Sequence, residues 1–99
     1  MAFRVIWSDT AAEDLKEIVQ YIALDNPEAA GRLAERILSS IERASEWPLS
    51  NRAVPEKGDD SIREAILKPY RIVYQVDTAR NALHVLRIWH GARGMPDQE

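Results

Sequence analysis

The chain has 99 residues, of which 45% are hydrophobic and 29% are charged, with a net charge of −3 and no cysteine. This length suits a single domain spanning residues 1–99, and the lack of cysteine excludes a disulfide scaffold, a thiolate metal site and a thiol nucleophile. No apolar run reaches the ~18 residues of a membrane helix, and the apolar stretch before Ser8 is too short for a signal peptide. We therefore expect a cytoplasmic protein that does not contact a membrane.

The first two elements are a short strand and a helix. Apolar side chains alternate from Phe3 to Trp7, which is typical of a strand with one buried face. Three N-cap candidates follow, of which Thr10 has capping-box spacing to Glu13. Apolar residues then recur at helical spacing, so the pattern predicts a helix over about 10–24.

A second amphipathic helix follows after a short turn. Asn26 can cap its start, and Pro27 suits the first helical position, where a backbone N–H is not needed. Helical spacing of apolar residues continues to Ala44, which predicts a helix over about 27–46. Because the turn is so short, we expect the two helices to form an antiparallel hairpin over residues 10–46.

The second half of the chain changes character. Residues 47–60 contain proline, glycine and aspartate and predict a loop, which is long for a domain of this size and favours a functional or mobile segment. Residues 61–90 contain three strand-like segments separated by two turns, which predicts an antiparallel meander. Residues 91–99 contain two glycines and a proline and predict a tail.

The residues of the last strand are predicted to divide between two faces. Simple alternation places Leu83, Val85 and Trp89 on one face, with Ile88 and His90 on the other. The element order is β-α-α-β-β-β, which predicts an α+β fold. Its antiparallel sheet carries the helix hairpin on one face, and the first strand lies at an edge or beside the last strand.

Charge is divided unevenly along the chain. Residues 1–60 hold 7 basic and 12 acidic side chains, whereas residues 61–99 hold 6 basic and 4 acidic ones. This division describes either two ordinary solvated surfaces or a basic strand half that meets an anionic partner.

Several kinds of active site are excluded. No serine lies in a glycine-flanked elbow, two histidines are too few for a metal site, and the four glycines form no phosphate-binding loop. We therefore expect no metal and no cofactor.

One set of charged side chains remains. Glu56 lies in the long loop, Arg71 begins the second meander strand and His90 ends the last strand. A carboxylate, an arginine and an imidazole around one phosphodiester would suit metal-independent RNA cleavage by a base, a phosphorane stabiliser and an acid. The simpler interpretation is structural, with Glu56 capping or pairing with an arginine and Arg71 supporting the sheet edge.

The chain resembles the ParE/RelE superfamily of bacterial type II toxin–antitoxin toxins, also called plasmid stabilisation proteins. The resemblance covers about residues 3–96. It rests on the order and spacing of the segments VIWSDTAAEDLKEIVQYIA, DNPEAAGRLAERI, RAVPE, IREAILKPYRIVYQVD and VLRIWHGAR. It implies a small toxin that is neutralised by a co-expressed antitoxin wrapped around its helices and sheet.

The resemblance leaves two targets open. RelE-like members are ribosome-dependent mRNA endoribonucleases, in which Glu56, Arg71 and His90 match the active-site positions. ParE-like members poison DNA gyrase and are not known as nucleases. The ribonuclease pattern usually has an aromatic residue where Gly91 stands, and the net negative charge is unlike the basic ribonuclease toxins. The HGAR ending and the alanine-rich second helix are more similar to the ParE-like branch. We therefore expect a gyrase inhibitor, with the ribonuclease as the alternative.

The ParE-like interpretation places the toxic surface on the last strand and the tail. Candidate binding residues are Arg63, Arg87, Trp89 and Arg93, because aromatic side chains and arginines dominate interfaces. Trp47 and Trp89 lie near element ends, where we expect them to be exposed anchors for the antitoxin.

Overall fold

The computed structural model describes residues 2–91. Its elements are β1 (Arg4–Trp7), α1 (Asp9–Ala23), α2 (Pro27–Glu46), β2 (Ile62–Leu67), β3 (Tyr70–Asp77) and β4 (Ala82–His90). The predicted α+β class and element order are confirmed. Across the described part of the chain, neither helix combines the length and apolar character needed to cross a membrane.

Ser8 begins α1 and joins it to the sheet. Its Oγ accepts a hydrogen bond from the Ala11 N–H at 2.9 Å, so Ser8 is the N-cap and the Thr10 capping box is not used. The same hydroxyl donates to the Leu86 carbonyl at 3.1 Å. One side chain thus caps the helix and fixes its first turn against β4.

The four strands form one mixed sheet in the order β1-β4-β3-β2. β2, β3 and β4 are antiparallel, as predicted, and β1 lies at the edge beside the last strand. β1 runs parallel to β4, however, so the sheet is not antiparallel throughout. The physical reason is the connection: parallel strands require a crossover, which the helix hairpin and the long loop provide.

β4 contains one extra residue. The register passes from Val73 opposite Arg87 to Tyr74 opposite Val85, so Leu86 has no partner on β3. A bulge of this kind interrupts the alternation of side chains between the two faces of the sheet. The faces predicted for the end of β4 were therefore wrong.

The main core lies between the helices and the sheet. Its buried side chains are Ala11, Leu33, Ile37, Ile41, Ala44, Ala65, Ile72, Tyr74, Val76, Leu83, Val85 and Ile88. On the other face, Val54, Val73 and Trp89 form a smaller cluster. Because of the bulge, Ile88 joins the main core and Trp89 the smaller cluster, the reverse of the prediction.

The long loop is attached to β2. Residues 52–54 run antiparallel to that strand, with the Val54 N–H donating to Ile62 O at 2.9 Å and the Glu64 N–H donating to Arg52 O at 3.1 Å. This pairing buries Val54, which is 1% exposed, against the face of the sheet that the helices leave open.

Candidate functional site

A buried carboxylate organises the sheet face away from the helices. Glu64 is 1% exposed, and it accepts hydrogen bonds from Arg52 Nε at 2.5 Å and from Arg71 Nε at 2.6 Å. An ionised carboxylate without such partners is strongly unfavourable in a protein interior. The two arginines therefore make the burial of Glu64 possible and join the loop to β3.

Neither Glu64 nor Arg52 was among the predicted site residues. A signal for Glu64 exists in the sequence, because it lies between Ile62 and Ile66 at a spacing of two. A charged side chain on an apolar strand face indicates a buried ion pair. The sequence does not show which arginine provides the partner.

Arg71 is packed between Glu64 and Trp89. Its side chain is 14% exposed, and the guanidinium carbon lies 5.5 Å from the centre of the Trp89 ring. Burial alone would lower the pKa of Arg71, but the hydrogen bond and charge of Glu64, with the charge of Glu56, hold that pKa above its usual value. Arg71 therefore keeps its positive charge within a packed network.

Glu56 meets Arg71 from the loop. Its Oε1 lies 3.4 Å from Arg71 Nη2, and its side chain is 49% exposed. The hydrogen bond from its own backbone N–H is the main cause that lowers the pKa of Glu56; slight burial opposes this effect and the charge of Arg71 adds to it. The structure thus brings two of the three candidate catalytic side chains together.

His90 lies on the opposite face of the sheet. In the register, Trp89 is opposite Arg71, and His90 is opposite Tyr70. The rings of His90 and Tyr70 meet edge to face, with their centres 5.5 Å apart. Neighbouring residues of a strand point to opposite faces. The sequence had suggested that Arg71 and His90 could face one pocket. In the structure they lie on opposite faces of the sheet, and His90 is therefore also separated from Glu56.

His90 lines a cleft of about 750 Å³ between α1 and the ends of β3 and β4. α1 contributes Ile18 and Tyr21, and the sheet contributes Tyr70 and Ile88. Asp14, Glu17 and Arg87 also border the cleft, so its lining combines apolar and charged side chains.

Arg87, which also lines this cleft, joins α1 to the sheet. Asp14 Oδ2 accepts from Arg87 Nε at 2.8 Å and from the Ile88 N–H at 2.9 Å, directly after the bulge. The Arg87 side chain is 29% exposed, and its guanidinium carbon lies 5.9 Å from the centre of the Trp89 ring. Arg87 is therefore partly accessible but held in place.

Arg63 holds the loop. Its Nε donates to Asp60 O at 2.7 Å and its Nη1 donates to Asn51 O at 2.9 Å, so it contacts both ends of the loop. The fourth candidate binding residue, Arg93, and the rest of the predicted tail beyond Gly91 lie outside the described residues.

The two tryptophans expected to be exposed differ. Trp47 is 69% exposed, whereas Trp89 is 9% exposed and lies within 6 Å of two guanidinium carbons. The prediction for Trp89 was wrong because the bulge turns its side chain toward the smaller cluster. Within residues 2–91, the buried Trp89 Nε1 has no hydrogen-bond partner, and nothing in the structure explains this.

Three carboxyl groups have lowered pKa values in the folded protein, and we therefore expect the protein to lose stability in acid. Hydrogen bonds from the Glu56 N–H, the Ser61 N–H and the Arg80 side chain are the main causes that lower the pKa values of Glu56, Asp59 and Asp77, respectively. A carboxyl whose pKa is lower in the folded state contributes stability above its unfolded pKa, and this is lost as pH falls through the folded pKa. We expect the free energy of unfolding to decrease as the pH falls below 4.5 and 3.8, the ordinary pKa values of glutamate and aspartate side chains.

Urea unfolding between about pH 7 and about pH 3 measures this effect. Glu56→Gln should reduce the acid sensitivity, whereas the same change at Glu35, which is exposed in the middle of α2, should have little effect on it. Stability that stayed constant down to about pH 3 would contradict the prediction.

The match to known proteins spans most of the sequence. Residues 5–95 match the family model of the ParE toxin of the type II toxin–antitoxin system parDE. Toxin RelE2 of Caulobacter vibrioides is 34% identical over 91 residues, which cover 91% of this chain and 97% of that toxin.

Two solved structures share the fold. A chain of the chromosomal ParDE toxin–antitoxin system of P. aeruginosa is 22% identical with a TM-score of 0.71, and the match covers 90% of this chain and 96% of that one. A chain of the toxin–antitoxin complex RelBE2 of Mycobacterium tuberculosis is 20% identical with a TM-score of 0.65, covering 91% and 99%. From the family match and the identity to RelE2, we conclude that the chain belongs to the ParE toxin family, within the ParE/RelE superfamily of type II toxin–antitoxin toxins.

Proposed function

We propose that this toxin inhibits DNA gyrase by binding and does not cut RNA. The observation that carries the proposal is the separation of Arg71 and His90 by the sheet. RNA cleavage would require Glu56, Arg71 and His90 to reach one phosphodiester, because acid, base and stabilising charge act on neighbouring atoms. An arrangement with His90 on the other face favours a binding toxin.

The contacts of Arg71 support the same proposal. Its Nε donates a hydrogen bond to Glu64 and its Nη2 donates one to Glu56, while the guanidinium lies over the Trp89 ring. An arginine that stabilises a phosphorane must direct donors at the reacting phosphate. Arg71 instead directs them at two carboxylates of its own chain, which suits a structural role.

The alternative is a ribosome-dependent mRNA endoribonuclease, and two observations favour it. Glu56 and Arg71 lie together at a partly exposed position, and the relative in Caulobacter vibrioides is named RelE2. In this alternative Glu56 is the base, Arg71 stabilises the phosphorane and His90 is the acid, with no metal or cofactor.

We further propose that a cognate antitoxin neutralises the toxin in the cytoplasm, where gyrase and ribosomes work. One neighbour in fold is part of a solved toxin–antitoxin complex. This chain also exposes several large apolar side chains, among them Tyr21, Leu24, Trp47 and Leu49. Tyr21 and Leu24 line the same hollow, and contiguous exposed apolar surface marks interaction sites.

Parallel assays on antitoxin-free protein test the proposed target. We expect the protein to inhibit supercoiling by gyrase and to leave mRNA on translating ribosomes intact. The variant Glu56→Gln, whose side chain lies in the loop away from the last strand, should inhibit gyrase as well as the unaltered protein does. Arg80→Ala, at a side chain that is 77% exposed, is the matched control.

The opposite pattern would overturn the proposal. If mRNA is cleaved, and cleavage is lost in His90→Ala but kept in Arg80→Ala, the protein is a ribonuclease. If neither target responds while the protein still arrests growth in cells, both proposed targets are wrong.

A further inference from the structure

One buried hydrogen-bond donor of this protein has no acceptor. Among the buried side-chain nitrogen and oxygen atoms of residues 2–91, the indole Nε1 of Trp89 alone lacks a hydrogen-bond partner. The residue is 9% exposed, so its N–H is not bonded to bulk water either. A buried donor without an acceptor lowers stability, and most buried polar groups in proteins are bonded. The unpaired N–H therefore indicates an acceptor that the described part of the chain does not provide.

Two positive charges lie close to this indole. The guanidinium carbons of Arg71 and Arg87 are 5.5 Å and 5.9 Å from the centre of the Trp89 ring. An acceptor that reaches the N–H therefore also comes close to two guanidinium groups. Hydrogen bonds and ion pairs to an ionised acceptor are stronger than those to a neutral one, so the position favours an anion.

The indole borders a cleft. Trp89 and Arg87 both line the cleft of about 750 Å³ between α1 and the sheet, and the Arg87 side chain is 29% exposed. An anion that enters the cleft can therefore meet both residues. Because Nε1 is covered in the free protein, binding requires a side-chain rotation at the ring. The guanidinium groups that lie over the ring are the groups that an incoming anion attracts.

A single carboxylate suits this position better than a nucleic-acid backbone. Asp14 is bonded to Arg87, and Glu56 lies 3.4 Å from Arg71 Nη2, so each arginine already has an acidic neighbour. These carboxylates repel a chain of phosphates, and the protein has a net charge of −3. One carboxylate has two oxygens, so it can accept from the indole N–H while it faces a guanidinium group.

We propose that Trp89 Nε1, beside the charges of Arg71 and Arg87, binds an aspartate or glutamate side chain that gyrase presents to the toxin. The inference rests on the proposed gyrase target and names the chemistry of one contact. Proteins retain a destabilising group where their activity uses it, which favours the target over the antitoxin as the source of the carboxylate. Binding then satisfies the donor that is unpaired in the free toxin.

The first experiment removes the N–H and keeps an aromatic ring. In the supercoiling assay, we expect Trp89→Phe to raise the toxin concentration for half-inhibition by about tenfold or more, because a charge-assisted hydrogen bond is lost. Trp7→Phe makes the same change at a partly buried residue of the main core and should alter this concentration by less than about twofold.

A further control separates the donor from the packing around it. Val73→Ala weakens the same small cluster but leaves the indole N–H in place. We expect this variant to unfold at a lower urea concentration than the unaltered protein and still to inhibit gyrase equally well. Loss of inhibition in both Val73→Ala and Trp89→Phe would assign the effect to packing and overturn the inference.

The second experiment detects the site without gyrase. The chain has three tryptophans, and the indole signal that disappears from the proton–nitrogen NMR spectrum of Trp89→Phe identifies Trp89. We expect sodium acetate, titrated to about 100 mM, to shift that signal and to leave the signal of Trp7 in place. Sodium chloride at equal ionic strength controls for screening of charge and should have no such effect.

The outcomes separate the two proposals. If the unaltered protein does not inhibit gyrase, the proposed target is wrong and gyrase cannot supply the carboxylate. If it inhibits, but Trp89→Phe inhibits equally well, the target stands and this contact is wrong. A Trp89 signal that does not respond to acetate, or that responds more strongly to sodium phosphate, would also overturn the inference. Weaker binding of Trp89→Phe to the antitoxin, with inhibition of gyrase unchanged, would assign the carboxylate to the antitoxin instead.

Discussion

Glu64→Ala should lower the free energy of unfolding by about 3–5 kcal/mol. The substitution leaves Arg71, which is 14% exposed, without its buried partner and with only the half-exposed Glu56, 3.4 Å away, to balance its charge. It also removes the contact by which Arg52 holds the loop to β2. Urea unfolding followed by circular dichroism measures the change. The slope of the free energy of unfolding against urea concentration should be the same as in the unaltered protein.

Arg52→Ala is the matched control for Glu64→Ala. It breaks the other ion pair of the same carboxylate, but the Arg52 side chain is 63% exposed and can be replaced by water. We expect a loss below about 1 kcal/mol. Replacing the pair together, as Glu64→Leu/Arg71→Met, should cost less than Glu64→Ala alone, because the charges left without a partner, on Arg52 and Glu56, are exposed to water. Equal losses for Glu64→Ala and Arg52→Ala would show that burial of the charge has no energetic consequence.

Asp14→Ala should lower the free energy of unfolding by about 3 kcal/mol. The carboxylate accepts hydrogen bonds from both Arg87 and the Ile88 backbone N–H. Ile88 is 2% exposed, so its N–H cannot readily turn to water when Asp14 is removed. An unsatisfied buried donor costs about 1–3 kcal/mol, in addition to the lost charged hydrogen bond.

The control for Asp14→Ala is Glu13→Ala, an exposed carboxylate on the same helix. We expect this substitution to change stability by less than about 0.5 kcal/mol. A double-mutant cycle with Arg87→Ala separates the ion pair from the bond to the Ile88 N–H. If Asp14→Ala and Glu13→Ala had equal effects, the attachment of α1 to the bulge would contribute nothing to stability.

Local signals in the sequence predict the elements well. The helix hairpin follows from cap residues, Pro27 and apolar spacing, and α2 runs from Pro27 to Glu46 as its pattern indicates. The alternation in β3 is also informative, since Ile72, Tyr74 and Val76 all enter the main core. Such features depend on neighbouring residues, and therefore a single sequence is sufficient to recognise them.

Features that depend on pairing between distant residues are not visible in the same way. Nothing in the residues around Leu86 marks it as a bulge, and that extra residue decides which face Trp89 occupies. The register likewise decides that Arg71 lies opposite Trp89 and not His90. Of the three side chains that the sequence groups together, the structure brings Glu56 and Arg71 into contact and places His90 on the other face of the sheet.

The parallel pairing of β1 with β4 also affects the time at which the protein can finish folding. β1 is synthesised first, but its partner residues begin at Ala82. At ~5–20 residues per second, β1 must wait about 4–16 s on the ribosome before its partner strand exists. The four-stranded sheet is therefore complete only after the residues of β4 have been translated, and a chain that stops before β4 cannot form it.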